Sequence, residues 1–208
     1  MVLNEFSLNA RAIVFDVGET LVDETRQWTD QATMAGVPAF TFLALFGSLI
    51  ERGEDHRKIW DELGIRDPEN RPVLLKEDLY PDVLPCISSA RSAGLSIGIA
   101  GNQPEGAVEQ IAAAGVPADF IASSSQWGVE KPSEEFFQKV VDASGIDAGL
   151  VLYVGDRLDN DILPARRMGM QTAFLEQGPW GIIHSRRPEV KLADFHLKSL
   201  AELAALWG

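Results

Sequence analysis

The chain has 208 residues, of which 31 are acidic and 18 basic, for a formal net charge of -13, and its single cysteine, Cys86, excludes a disulfide framework. A chain of this length buries roughly 70% of its unfolded surface, enough for one full core and a small appended unit. The acidic surplus argues against nucleic acid or an anionic membrane surface as the main partner, because either needs a field of the opposite sign.

The opening MVLNEFSLNARAIVFD lacks the basic, apolar and small-residue zones of a signal peptide, and no apolar run reaches the length of a bilayer span, so a cytoplasmic, reducing setting is expected. The first element is AIVF at 12–15, a short apolar run that ends in Asp16 and a glycine turn, as a buried parallel strand does where it meets a functional loop. Residues 25–79 break the strand rhythm. They carry helix-like periods anchored by Trp28, Phe42, Phe46 and Trp60, which predict a helical insert over 23–79 between two parts, 1–22 and 80–208, of one core. Beyond the insert, helix patterns at 82–93, 104–114, 133–144 and 161–168 alternate with strand-like runs LSIGIA, ADFIAS, LVLYV and MQTAFL. This alternation predicts an α/β fold with a five-stranded parallel sheet between helices. The end, ADFHLKSLAELAALWG, reads as a short strand and a packing helix.

Parallel sheets of this kind bind ligands beyond the carboxyl ends of their strands, so the polar residues just after each run belong together. These are Asp16 to Thr20, Gly101 to Gln103, the loop carrying Lys131, and GDRLDND from Gly155 to Asp161. Two carboxylates such as Asp16 and Asp156 repel at a sheet edge unless a cation or a proton intervenes. Magnesium accepts carboxylate and carbonyl oxygens, and Lys131 supplies a fixed positive charge suited to a phosphoryl group. Independent turn and cap roles for the same residues are the plain alternative. No GxGxxG or GxxxxGK[ST] pattern is present, which weakens nicotinamide and ATP-hydrolysing readings.

Four segments in order, AIVFDVGETLVDE, YPDVLPCISSARSAGLSIGIAGNQ, VEKPSEEFF and VLYVGDRLDNDILPARRMGM, resemble the four motifs of the haloacid dehalogenase-like (HAD) hydrolase superfamily, in its branch with a helical (C1-type) cap inserted after the first strand. The resemblance implies a Rossmannoid three-layer core, Asp16 as nucleophile, Lys131 beside it, and Mg2+ held by Asp16, the Gly18 carbonyl, Asp156 and Asp161. It implies a small phosphorylated substrate, with Thr20 closing the first motif beside it and ordering that loop rather than touching substrate, and with Gly101 and Asn102 near it through backbone N–H groups or the Asn102 amide. Monomer and homodimer stay open.

Two positions depart from the family pattern. Gly18 stands where family phosphatases carry a second aspartate that protonates the leaving group, a loss that general acid–base catalysis sets at about 10² to 10⁴-fold. Gly101 stands where the second motif usually presents a hydroxyl. Glu19, one residue along, points elsewhere on a tight turn. A phosphatase restricted to good leaving groups is therefore expected, against an impaired binding or regulatory protein, a 2-haloacid dehalogenase, or a phosphonatase using Lys58 or Lys76. Specificity is expected near Trp28, Phe42, His56 and Trp60, with His56 itself solvated on a helix face, Arg157 facing solvent, and His184 and His196 structural.

Overall fold

The computed structural model describes residues 8–68 and 71–207. Its sheet has six parallel strands: β1 (Ala12–Phe15), β2 (Ser96–Gly101), β3 (Phe120–Ser123), β4 (Val151–Gly155), β5 (Gln171–Leu175) and β6 (Phe195–Leu197), in the order β3-β2-β1-β4-β5-β6. The expected five-stranded sheet is thus extended by one. The added edge strand is the three-residue FHL, the short terminal strand read in the sequence but not counted in the sheet, and it is fixed there by pairing with Ala173–Leu175.

The helices are α1 (Thr25–Met34), α2 (Ala39–Glu51), α3 (Ile59–Leu63), α4 (Val83–Ser92), α5 (Ala107–Ala113), α6 (Ser124–Trp127), α7 (Glu134–Ser144), α8 (Leu163–Arg167), α9 (Gly178–His184) and α10 (Leu200–Ala204). Side chains alternate across each strand, so one sheet serves two cores. Ile13, Phe15, Ile97, Ile99, Leu152 and Val154 pack against α4, α5 and α10 through Val83, Ile87, Ile111 and Leu203. Val14, Ala100, Val151 and Tyr153 pack against Phe136, Phe137 and Val140 of α7 and Ala165 of α8. Each phenylalanine fully buried in this second layer contributes about 1.5–3 kcal/mol. Ser133 starts α7 by accepting a hydrogen bond from the Glu135 N–H, and acidic Glu134 and Glu135 suit the positive end of that helix.

The segment between β1 and α4 contains helices and turns but no strand among its described residues. It has its own apolar cluster of Ala32, Phe42, Phe46, Leu49, Ile50, Ile59 and Trp60, joined from α9 by Trp180 and the partly buried Ile183. Phe42 and Trp60 are therefore core of the insert, not part of a binding surface. No single helix among the described residues is long and apolar enough to cross a membrane; α1 and α2 meet that composition only as a pair bent by 117°.

The chain leaves β1 for β2 and β3 on one side and returns to β4 on the other, so the order reverses between β1 and β4. Phe15 is in register with both Ile99 and Val154. That alignment brings the ends of β1, β2 and β4 to one level, where Asp16, Gly101 and Asp156 follow or close their strands.

Candidate active site

Three buried carboxylates converge at this level. Asp16, Asp156 and Asp161 each offer an oxygen within 4.8 Å of the others. The Lys131 ammonium, 3% exposed, lies 2.6 Å from Asp16 Oδ1 and 2.5 Å from Asp161 Oδ1. Burial draws the Lys131 pKa down, but Asp16 and Asp161 outweigh it and hold the group well above its usual value. Asp161 is reached from a π-helical turn (Leu158–Ile162) that precedes α8, and its Oδ2 accepts the Arg157 N–H. Gly155 makes room for it: a Cβ there would lie 2.4 Å from Asp161 Oδ2. Burial pushes the Asp161 carboxyl up to about 6, with Lys131 pulling against that rise. Asp156 is driven well above the carboxylate range by burial and then by Asp161 and Asp16. Its Oδ2 is buried and has no hydrogen-bond partner among the described residues. An orphaned carboxylate oxygen facing two other carboxylates is the donor set of a hard divalent cation, so the residues fit one. Asn160, also buried, lies on the same turn.

The loop after Asp16 is wound tightly around one carbonyl. Val17 O accepts the N–H groups of Thr20, Leu21 and Val22. The turn puts Glu19 at φ +52°, a left-handed conformation that non-glycine residues seldom adopt. Its carboxylate accepts the Tyr80 hydroxyl at 2.6 Å and the Glu24 N–H at 3.1 Å, which ties it to the support of the loop. Burial raises the Glu19 pKa, with Tyr80 opposing. Thr20 is buried, and its hydroxyl has no hydrogen-bond partner among the described residues, so no such bond ties it to the loop there. Among the described residues no backbone N–H is donated to the Gly18 carbonyl.

Gly18 has a neighbour that sequence reasoning missed. A Cβ on Gly18 would lie 2.6 Å from Glu24 Oε1 and 2.8 Å from its Cδ. Glu24 immediately precedes α1, and the indole N–H of Trp28, one helical turn on, donates to its Oε2 at 3.1 Å. Burial, then Glu19, lifts the Glu24 carboxyl to about 8, with Asp16 adding to the rise. The E-x-x-x-W pair at the mouth of the insert is the only signal of this arrangement in the sequence.

Gly101 closes β2 directly against the nucleophile position. A Cβ there would lie 2.4 Å from Asp16 Oδ1, so the carboxylate uses the room that a larger residue would fill. The side-chain amide of Asn102 is engaged with the backbone of Lys131: its Nδ2 donates to Lys131 O at 3.0 Å and its Oδ1 accepts the Lys131 N–H at 2.7 Å, which leaves one Nδ2 N–H beyond this pair. Asn102 fixes the loop that presents Lys131, because the chain returning from β2 passes beside that loop.

The insert meets the core at an aromatic cluster. His56 lies with ring centroids 5.6 Å from Trp28, 5.5 Å from Phe46 and 5.2 Å from Trp180, and burial lowers its pKa to about 4. The ring is packed among aromatics and only partly exposed, rather than standing on a fully solvated helix face. The period that marks a helix face does not report what α9 lays over it. Arg157 stacks at 5.1 Å over Trp180 and pairs with Asp159, so it also leaves solvent for the insert–core boundary. His184 accepts the Leu158 N–H through Nδ1, a structural role, and His196 pairs with Glu176 at 2.9 Å. Lys58 pairs with Glu54 at the surface and Lys76 is exposed, so neither is gathered with the carboxylates.

A buried lysine shared by carboxylates at the switch point of a doubly wound sheet defines a hydrolase-type α/β site. The model for the haloacid dehalogenase-like hydrolase family matches residues 10–169, and the chain belongs to that family. It is 27% identical to a glyceraldehyde 3-phosphate phosphatase of Methanopyrus kandleri, over 93% of this chain and 95% of that one. A phosphoserine phosphatase of Thermus thermophilus is 26% identical over 60% of this chain and 51% of its own length. Among solved structures, a magnesium-bound HAD hydrolase of Bacillus subtilis superposes with a TM-score of 0.72 at 18% identity, over 96% of this chain and 99% of that one, a likeness of fold.

Proposed function

We propose that the protein is a magnesium-dependent phosphatase of small phosphorylated compounds that carries the phosphoryl group transiently on Asp16. The observation that supports this best is the convergence of Asp16, Asp156 and Asp161 with the partnerless Asp156 Oδ2, beside a buried Lys131. The phosphatase names of the relatives in Methanopyrus and Thermus support the substrate class.

Asp16, Asp156, Asp161 and the Gly18 carbonyl would hold the ion, which when bound supplies positive charge to the transferring phosphoryl oxygens. A carboxylate oxygen of Asp16 attacks phosphorus while the bond to the leaving group breaks and its electron pair stays on the leaving oxygen. Water then attacks the same phosphorus, and the bond to Asp16 breaks. Lys131 neutralises charge beside the nucleophile, and Asn102 keeps it there. Residues 23–79 act as a cap over the core formed by 1–22 and 80–208, excluding water during the first transfer.

p-Nitrophenyl phosphate is the suitable first probe because its leaving group departs without protonation. With magnesium chloride the wild type should hydrolyse it, and Asp16→Asn should fall to the buffer rate. Equal turnover by the two proteins, or none by the wild type on aryl or acyl phosphates, overturns the reading.

A further inference from the structure

The side chain missing at position 18 leaves a question of where a leaving-group proton would come from. Glu19 cannot supply it: both of its carboxylate oxygens are engaged, by Tyr80 and the Glu24 N–H, and it lies against Gly178, where a Cβ would meet Glu19 Oε2 at 2.4 Å. Glu24 is placed otherwise. An aspartate at 18 would carry its oxygens two bonds, about 2.4 Å, beyond Cβ. Glu24 Oε1 stands 2.6 Å from that same Cβ position and its Cδ 2.8 Å away. The carboxyl of Glu24 therefore occupies space directly beside position 18, within the reach of the absent aspartate, and is delivered from the entrance of the insert instead of from the loop.

Its orientation is fixed from behind. Trp28 holds Oε2 through the indole N–H, and the Glu24 backbone N–H is tied to Glu19, while Oε1 accepts no hydrogen bond among the described residues. Gly18 is what permits this, since any side chain there would displace the carboxyl.

We propose that Glu24 is the general acid and base of this enzyme, taking the place of the residue that the first motif lacks. In the first half-reaction the proton on Oε1 passes to the leaving oxygen as the P–O bond breaks and the Asp16–phosphorus bond forms. In the second, the Glu24 carboxylate takes a proton from the attacking water as its oxygen bonds to phosphorus and the Asp16–phosphorus bond breaks, which restores the starting state. The inference rests on the phosphatase reading, and it widens the expected substrates from good leaving groups to alkyl phosphates.

The test compares kcat/KM for p-nitrophenyl phosphate, phenyl phosphate and ethyl phosphate in the magnesium-loaded wild type and Glu24→Gln. This ratio reads only steps through formation of the phosphoenzyme, so water activation does not blur it. Glutamine keeps the size and an oxygen for Trp28. The p-nitrophenyl ester should change by less than about 3-fold, whereas ethyl phosphate should lose about 10² to 10⁴-fold, with phenyl phosphate between. Gly18→Asp combined with Glu24→Ala should recover ethyl phosphate turnover that Glu24→Ala alone loses, while Gly18→Asp alone should lower it. A uniform loss across the three esters, no loss on any, or no recovery in the double variant overturns the role of Glu24. Absence of Asp16-dependent p-nitrophenyl phosphate turnover in the wild type would instead overturn the phosphatase reading beneath it.

Discussion

Lys131→Met isolates the electrostatics of the site, because methionine keeps the buried stem and removes only the charge. At an effective dielectric constant near 20, each contact of the ammonium with Asp16 and Asp161, at 2.6 and 2.5 Å, is worth about 6 kcal/mol of attraction before desolvation. The three carboxylates, with oxygens no more than 4.8 Å apart, repel by at least about 3 kcal/mol per pair on the same scale. The two effects are of similar size, so one lysine is what lets the carboxylates remain together. Desolvation and proton uptake reduce the net cost, and removal of one partner from a buried ion pair typically destabilises by about 3–5 kcal/mol. For a chain of this length that lowers the thermal midpoint by about 6–20 °C. Thermal unfolding followed by circular dichroism at pH 8 in a chelator should show the drop. Magnesium should then raise the variant's midpoint more than the wild type's, because the variant has one more uncompensated negative charge to satisfy and ligand binding stabilises by mass action. A chelated midpoint within about 3 °C of wild type, or a magnesium response no larger in the variant, would refute this account of Lys131.

Two further outcomes follow from the same geometry. Stability of the metal-free protein should rise as pH falls from about 8 to about 6.5: Glu24, raised to about 8, and Asp156, raised well above the carboxylate range, hold protons in the folded state that they release on unfolding, a difference lost above their folded values. Below about 6.5 the slope should flatten, since His56 and His184, held near 4, favour the unfolded state as it takes up protons; midpoints measured in chelator across this range check both limbs, and a slope of opposite sign between pH 8 and 6.5 refutes the assignment. Asn102→Ala removes both hydrogen bonds to the Lys131 backbone and leaves its N–H without that partner, at a cost of about 1–3 kcal/mol; denaturant unfolding should show it, together with slower p-nitrophenyl phosphate turnover.

The parts of this structure legible in sequence are those set by local pattern. Apolar runs that stop abruptly at Asp16, Gly101 and Asp156 announce both the strands and the level at which they end, because in a parallel sheet every such run ends on the same side. Lys131 and Asp161 follow from their place in that order. What was not legible depends on contacts between distant segments. The short terminal strand read in the sequence joins this sheet as a sixth member only because β5 offers it an edge, the helix expected from Asp161 starts as a π turn, and the aromatic ring around His56 is completed by Trp180, 124 positions away in a different layer. Periodicity carries no record of any of these.

The two glycines that depart from the family pattern show the same limit in a sharper form. Read one position at a time, Gly18 and Gly101 each look like a lost functional group. In the folded chain each instead makes room for a carboxylate supplied from elsewhere: Glu24 stands in the space beside Gly18, and Asp16 itself turns into the space beside Gly101. Restoring the family residue at either place would put a Cβ 2.4–2.6 Å from a carboxylate oxygen, so it would disturb the existing arrangement before it could add a function. At Gly101 the disturbed group is also the partner of Lys131, which couples that position to the whole acidic cluster. A missing motif residue is therefore a statement about one position, whereas a missing function is a statement about a volume, and here the volume beside Gly18 already holds an acid.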